Sequence, residues 1–189
     1  MKKRLYLMRH GQTLFNARRK IQGACDSPLT ELGIHQAKIA RKYFEQNNIT
    51  FDHAYCSTQE RAVDTLELTT DMPYERLKGL KEVNFGVFEG ESEDLHPPFT
   101  GERALGEHYV LFGGESELQV QERVNHTLNE LMKKPDHQTV LAVSHGGCCA
   151  LFLNKWAESV WEPIGNCSIL VFDYAEETFE LIEKIEHVF

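Results

Sequence analysis

At 189 residues, with 41% hydrophobic and 26% charged residues, 13 Gly and 6 Pro, the chain has the length and composition of one globular domain with a real core. That balance excludes a disordered, collagen-like or mucin-like state. Lys and Arg total 20 against 29 Asp and Glu, a net charge of −9 that opposes general nucleic-acid binding.

The charge is uneven, because residues 1–20 hold seven basic side chains (Lys2, Lys3, Arg4, Arg9, Arg18, Arg19, Lys20) and no acidic one. Such a region either focuses a small anion into a cleft or is simply a solvated basic terminus. Leu5 to Met8 is a continuous apolar run of strand length, as expected for a strand buried on both faces of a parallel sheet. Its four residues fall short of the roughly 7 to 15 that a signal-peptide core needs, and no later run approaches a membrane span.

Thr30 is placed to cap a helix to about Gln46, with Gly33, Ala37, Ala40 and Phe44 along one face. Phe51 to Cys56 reads as a strand and Met72 to Leu77 as a weaker one. Ser57 with Glu60, and Ser116 with Gln119, fit the capping box, predicting helices from 57 to about 70 and from 116 to about 133. Val120, Val124, Leu128 and Leu131 give the latter its buried stripe. Between Val83 and Glu115 the periodicity fails among Gly86, Gly90, Pro97, Pro98, Gly101, Gly106, Gly113 and Gly114, the pattern of an insertion or lid. Val140 to Val143 is a second buried run, and Cys167 to Tyr174 with Thr178 to Ile185 forms a C-terminal strand pair around Ala175, Glu176 and Glu177. The expected architecture is an α/β domain: a mostly parallel sheet flanked by helices on both faces, with a small insertion after residue 82.

Five cysteines (Cys25, Cys56, Cys148, Cys149, Cys167), odd in number and without C-x-x-C spacing, read as reduced thiols of a cytoplasmic protein. Arg9-His10-Gly11 follows the first buried strand and Ser144-His145-Gly146-Gly147 the second, which places both imidazoles at strand C-terminal ends, where open parallel sheets bind ligands. A helix starting after Gly147 would aim free N–H groups at an anion. Either histidine alone is more often structural; the repeated pattern argues for a site. A metal site of His10 and His145 lacks a local ligand cluster.

By the capping-box count Arg61 lies in the first turn of its helix, where the macrodipole disfavours a cation. Either a bound phosphate offsets this, or Arg61 is exposed and paired with Glu60 or Asp64. Glu82, between apolar residues at the edge of the insertion, has the setting of a general acid, although a surface glutamate would look the same.

Arg9-His10-Gly11-Gln12-Thr13 with Asn16, Gln22-Gly23, and Asp26-Ser27-Pro28-Leu29-Thr30-Glu31-Leu32-Gly33 resemble the histidine phosphatase superfamily, or phosphoglycerate mutase-like family. The resemblance continues through Ser57-Thr58 with Arg61-Ala62, Glu82 with Phe85-Gly86 and Glu89-Gly90, and Ser144-His145-Gly146-Gly147. It implies that His10 is the nucleophile and Glu82 the proton donor, with Arg9, Arg61 and His145 around the phosphoryl group. It further implies substrate contacts from Arg9, Gly11, Asn16, Gln22, Gly23, Arg61 and Gly146. No cofactor or metal is expected, since two arginines supply the fixed positive charge.

The family's mutase branch carries an Arg-His-Tyr-Gly block after the acid glutamate, where this chain reads Val83-Asn84-Phe85-Gly86. The expectation is therefore a metal-independent phosphatase of small phosphomonoesters. A cofactor-dependent phosphoglycerate mutase and a non-catalytic phosphate-binding module are the alternatives. Phe85, Phe88, Leu95, Pro97, Pro98, Phe99, His108, Tyr109 and Phe112 make the insertion either a cover for an organic leaving group or a packing surface. The expected partner is a small phosphorylated metabolite, with no nucleic acid and no membrane; monomer or homodimer stays open.

Overall fold

Alternation along the first strand sets the layers. The computed structural model describes residues 2–96, 106–157 and 163–186. Its six strands are β1 (Lys3–Arg9), β2 (His53–Ser57), β3 (Tyr74–Leu77), β4 (Thr139–Ser144), β5 (Ile169–Ala175) and β6 (Thr178–Ile185), in the order β3-β2-β4-β1-β5-β6. The first four are mutually parallel, β5 pairs antiparallel to β1, and β6 antiparallel to β5. Leu5 and Leu7 point to one face and Tyr6 and Met8 to the other, and all four are buried. Helices α1 (Leu14–Ala17), α2 (Glu31–Gln46), α3 (Glu60–Thr69), α4 (Glu117–Lys133) and α5 (Gly146–Trp156) complete the domain. The α4–α5 pair covers the Leu5 face through Val120, Val124, Leu128 and Phe152; α2 and α3 cover the Tyr6 face through Ala40, Phe44, Ala62 and Leu66. The expected α/β sheet with helices on both faces is thus the observed one.

Thr30 caps α2 by accepting the Gly33 N–H, and Ser116 caps α4 in a reciprocal box with Gln119, both as expected. The helix expected from 57 starts later. Ser57 still belongs to β2, its hydroxyl takes the Gln59 N–H at 3.3 Å, and Gln59 makes no side-chain cap bond. The cap comes from a distance: Asp26 accepts the Glu60 N–H at 2.6 Å. Strand edges move for local reasons too. Cys167 has φ +55°, which delays β5 to Ile169, and Pro73 has no N–H to contribute before β3. Within the described part of 83–115 the only helical elements are single 3-10 turns, beside one isolated bridge from Ser92 to Lys20; Pro97, Pro98, Phe99 and Gly101 lie outside the described residues.

The loop after β1 packs against the start of α2 so closely that side chains have no room. A Cβ on Gly11 would stand 2.5 Å from the Gly33 carbonyl oxygen, and one on Gly33 would overlap the carbonyl of Gln12. The obstacle on both sides is backbone. Gly33→Ala is expected to cost about 2–3 kcal/mol, measured by urea unfolding. A loss under about 0.5 kcal/mol, the scale of an ordinary surface change, would contradict this contact.

Candidate active site

β1 and β4 are adjacent and parallel, with Arg9 opposite Ser144, so the residues that follow them emerge together. The His10 and His145 rings lie 5.2 Å apart at 61°. His10 Nδ1 is 2.7 Å from the Gly11 carbonyl, which can only accept; Nδ1 therefore carries the proton and Nε2 keeps its lone pair. The loop is held by the Thr65 hydroxyl, which accepts the Gly11 N–H at 3.0 Å, and by Asn166, which donates to the His10 carbonyl at 3.1 Å.

Arg61 is fully buried. Its Nε donates to His10 Nε2 at 3.3 Å, and its outer nitrogens donate to the carbonyls of Cys25, Gly23 and Gln22 and to Asp26 at 2.9 Å. The exposed pairing with Glu60 or Asp64 is thus excluded. Asp26 itself resolves the helix-dipole conflict: one oxygen takes the Glu60 N–H and the other pairs with Arg61, so the penalty needs no bound phosphate.

Glu82 accepts N–H bonds from Val83 (2.9 Å), Gly147 (2.9 Å) and Cys148 (3.1 Å). This corrects the helix-terminus expectation. α5 begins at Gly146, and two of its first N–H groups are already committed to Glu82. Oε2 holds one of the three bonds and retains a lone pair for a proton. Behind Glu82, Arg123 donates to the carbonyls of Gly79, Lys81 and Glu82 and binds Glu115 through two nitrogens at 2.9 Å.

Glu89 ties this segment to the Arg61 loop by accepting the N–H groups of Gly23, Ala24, Cys25 and Phe85. Burial opposes its charge, but the bonds from Cys25, Phe85 and Ala24 prevail and hold its carboxyl below the ordinary range. Gly23 serves the same loop, its carbonyl accepting from Arg61 and Gln59.

Among the described residues six buried side-chain polar atoms lack a partner, and four of them meet here: Arg9 Nε, Gln22 Nε2 and both ring nitrogens of His145. Buried donors are rarely left unpaired without a reason. Unpaired donors in the same region as a buried guanidinium suit an anion. Arg9 and Gln22 line a cleft of about 380 Å³, together with Asn16, Glu82 and Gly146 among others. His10, Arg61 and His145 are buried beside that lining, while Gly11 and Gly23 act as backbone supports. Asn16 uses its Oδ1 to accept from Thr13 and Asn166. Gly146 lets Arg9 approach: a Cβ there would meet its Nε at 3.2 Å.

Away from Arg9 and Gln22 the cleft wall is largely apolar, with Val83, Phe85, Tyr109, Leu151 and Ile164, and includes Glu93 and Glu117. Phe88 and Phe112 instead pack on each other, 5.0 Å between centroids. The basic N-terminal residues do not form one field. Lys2 and Arg4 pair with Asp173, Lys3 donates to the Met132 and Lys134 carbonyls, and Arg19 pairs with Asp94; only Arg9 and Lys20 reach the cleft.

Burial, then the charges of Arg61 and Arg9, push His10 well below the ordinary histidine range; burial, then Arg61, does the same to His145. Both rings are neutral in the folded protein near pH 7. The unfolded chain binds more protons once the pH falls below about 6.5, so stability is full above that pH and declines below it. We expect unfolding free energy to fall between pH 7 and 5 by up to about 1.4 kcal/mol per pH unit for each histidine, read from urea curves. Equal stability at both pH values would contradict neutral burial.

The α/β sheet thus carries two histidines, two arginines and a carboxylate at its strand ends. The family model for the histidine phosphatase superfamily (branch 1) matches residues 5–186, and the chain belongs to that superfamily. It is 33% identical to the probable phosphoglycerate mutase GpmB of Yersinia pestis, over 91% of this chain and 85% of that protein. The structure is similar to a phosphoserine phosphatase of Entamoeba histolytica solved with 3-phosphoglyceric acid (TM-score 0.81, 29% identity, 97% of each chain). It also shares its fold with a phosphoglycerate mutase of Bacillus anthracis (TM-score 0.83, 23% identity, 96% of this chain and 92% of that one). Among the described residues no helix is long and apolar enough to cross a membrane.

Proposed function

We propose that this protein is a phosphatase that hydrolyses small phosphomonoesters through a phosphohistidine on His10, without a metal in the reaction. The observation that carries this reading is His10 Nε2, free of a proton and facing Arg61, next to the His145 ring, with unpartnered donors on Arg9, Gln22 and His145. The Arg61 Nε–H that His10 Nε2 otherwise accepts passes to an incoming phosphoryl oxygen, Nε2 then attacks phosphorus in line with the leaving oxygen, the P–O bond breaks, and Glu82 gives its proton to the departing alkoxide. Arg9, Arg61 and His145 stabilise charge on the equatorial oxygens. Water then attacks phosphohistidine while Glu82 takes its proton, the P–N bond breaks, and the His10 lone pair is restored.

Hydrolysis is favoured over mutase transfer by the cleft wall. Beyond Arg9 its described lining has Lys20 as a fixed cation, against the carboxylates of Glu93 and Glu117. Burial keeps His96 on the neutral side. Among these described lining residues a second phosphate on a bisphosphate would find little to neutralise it. The expected partner remains a small phosphorylated metabolite, and the expected compartment the cytoplasm.

The test is inorganic phosphate release from a panel of phosphomonoesters in EDTA, beside a 3-phosphoglycerate isomerisation assay primed with 2,3-bisphosphoglycerate. Release that survives EDTA is the expected outcome. Isomerisation without comparable hydrolysis would establish the mutase instead, and loss of release on chelation would overturn the metal-free mechanism.

A further inference from the structure

His53 is the first residue of β2, while Asp136 and His137 lie in the loop that feeds β4, its neighbour in the sheet. Asp52 fixes that loop: its carboxylate accepts the N–H groups of Gln138 (2.9 Å) and Thr139 (2.7 Å), and its own N–H donates to the Thr139 carbonyl (2.8 Å). Side chains distant in sequence are thereby juxtaposed at the strand ends opposite the candidate active site. The separation is on the order of 20 Å, six residues of strand at about 3.3 Å each.

There His53 Nε2 stands 3.0 Å from one oxygen of Asp136 and His137 Nδ1 stands 2.8 Å from the other. The imidazoles stack with centroids 3.7 Å apart, and one ligand atom from each of the three residues lies within 4.8 Å of the other two. Two imidazoles and a carboxylate form a donor set for Zn²⁺, Ni²⁺ or Cu²⁺ rather than for Mg²⁺ or Ca²⁺. Zinc bonds of about 2.0–2.1 Å place tetrahedral ligands about 3.3 Å apart, so the bonded N···O pairs need to spread by only a few tenths of an ångström.

His137 has the outer partner that a ligating ring requires: its Nε2 is 2.7 Å from the Tyr55 hydroxyl. The ring is buried, which fixes its position against Tyr55. One ion lies near both ring planes once the His53 ring, a third exposed, turns out of the stack. Asp136 is exposed and opens the position to solvent.

We infer that His53, Asp136 and His137 form a site for one borderline divalent transition-metal ion, Zn²⁺ foremost, that clips the start of β2 to the loop before β4. Without the ion, Nδ1–H of neutral His137 donates to Asp136 and Nε2 accepts from Tyr55. With the ion, Nδ1 becomes the ligand and the proton resides on Nε2, donated to the Tyr55 oxygen. The change is a tautomer exchange, with no net proton lost by that ring.

The test is calorimetric titration of the EDTA-stripped and desalted full chain with ZnCl₂, with MgCl₂ and CaCl₂ as controls, together with the ¹⁵N shifts of the histidine side chains. One saturable Zn²⁺ site is expected, weakened about 10- to 100-fold by Tyr55→Phe, which removes only the outer partner, and by at least as much by His53→Ala or Asp136→Asn. The Nδ1 resonance of His137 and the Nε2 resonance of His53 should report ligation. Zn²⁺ should also raise Tm by several degrees in the parent and not in His53→Ala. Unchanged affinity in both His53→Ala and Asp136→Asn, or no saturable zinc binding, would overturn the inference. Phosphate release in EDTA should be unaffected by His53→Ala, so failure here and failure of the phosphatase reading are separately visible.

Discussion

Replacing His10 by alanine is expected to lower kcat for phosphate release by at least about 10⁴-fold while leaving the protein folded. The proposed nucleophile Nε2 has no substitute within the site: the His145 ring is its neighbour, but the Arg61 Nε donor is aimed at His10. The loss should fall on kcat rather than KM, because the proposed anion contacts of Arg9, Arg61, Gln22 and His145 remain. Inorganic phosphate should therefore still bind the variant in calorimetry. Folding should survive, since the bonds that hold the loop use the Gly11 N–H and the His10 carbonyl, both of them backbone groups. Quenching the parent with alkali during turnover of a ³²P-labelled ester should trap acid-labile label on the chain, absent from His10→Ala. Retention of turnover within about tenfold would remove His10 as nucleophile, and would instead favour direct attack by water.

Much of the sheet was legible because its signals are local. Leu5–Met8 and Val140–Val143 are buried on both faces, and continuous apolar runs announce that state without knowledge of their neighbours. Thr30 and Ser116 cap with their own side chains, so the helices they start could be placed to the residue. The start of α3 was misplaced because its cap is Asp26, far back in the chain, and no count from Ser57 finds it. The histidines and arginines of the candidate site stood out through repetition and family motifs. Their supports did not. Arg123 and Asn166 touch Glu82 and His10 only through backbone carbonyls, and such contacts leave no pattern of spacing in a sequence. The direction of the α5 N–H groups was misjudged for a related reason: their acceptor, Glu82, lies in the opposite half of the chain. His53 and the Asp136-His137 pair were invisible as a cluster because only the parallel pairing of β2 with β4 brings them together.

The second large effect is expected at Arg61. Arg61→Met keeps much of the side chain's bulk and removes only its charge and donors. The carbonyls of Gln22, Gly23 and Cys25 then lose a buried donor and Asp26 loses its cation, while Gly23 retains Gln59. A loss of about 3 kcal/mol is expected in urea unfolding, the scale of breaking a buried pair one-sidedly. The catalytic cost is separate and larger in ratio. Arg61 Nε is the donor nearest the lone pair that attacks phosphorus, so a fall in kcat of about 10²–10³ is expected, as for removal of one oxyanion donor. Arg61→Lys should recover stability more than activity, because an ammonium restores a charge for Asp26 without the planar fork that spans Asp26, the carbonyls and His10 at once. Asp26→Asn provides the converse, weakening the cap of α3 and the ion pair while leaving the Nε donor beside His10. If Arg61→Met and Asp26→Asn lose activity in the same proportion as stability, Arg61 is a structural pillar alone. If Arg61→Met loses far more kcat than Asp26→Asn at matched stability, the guanidinium acts on the transferring phosphoryl group itself.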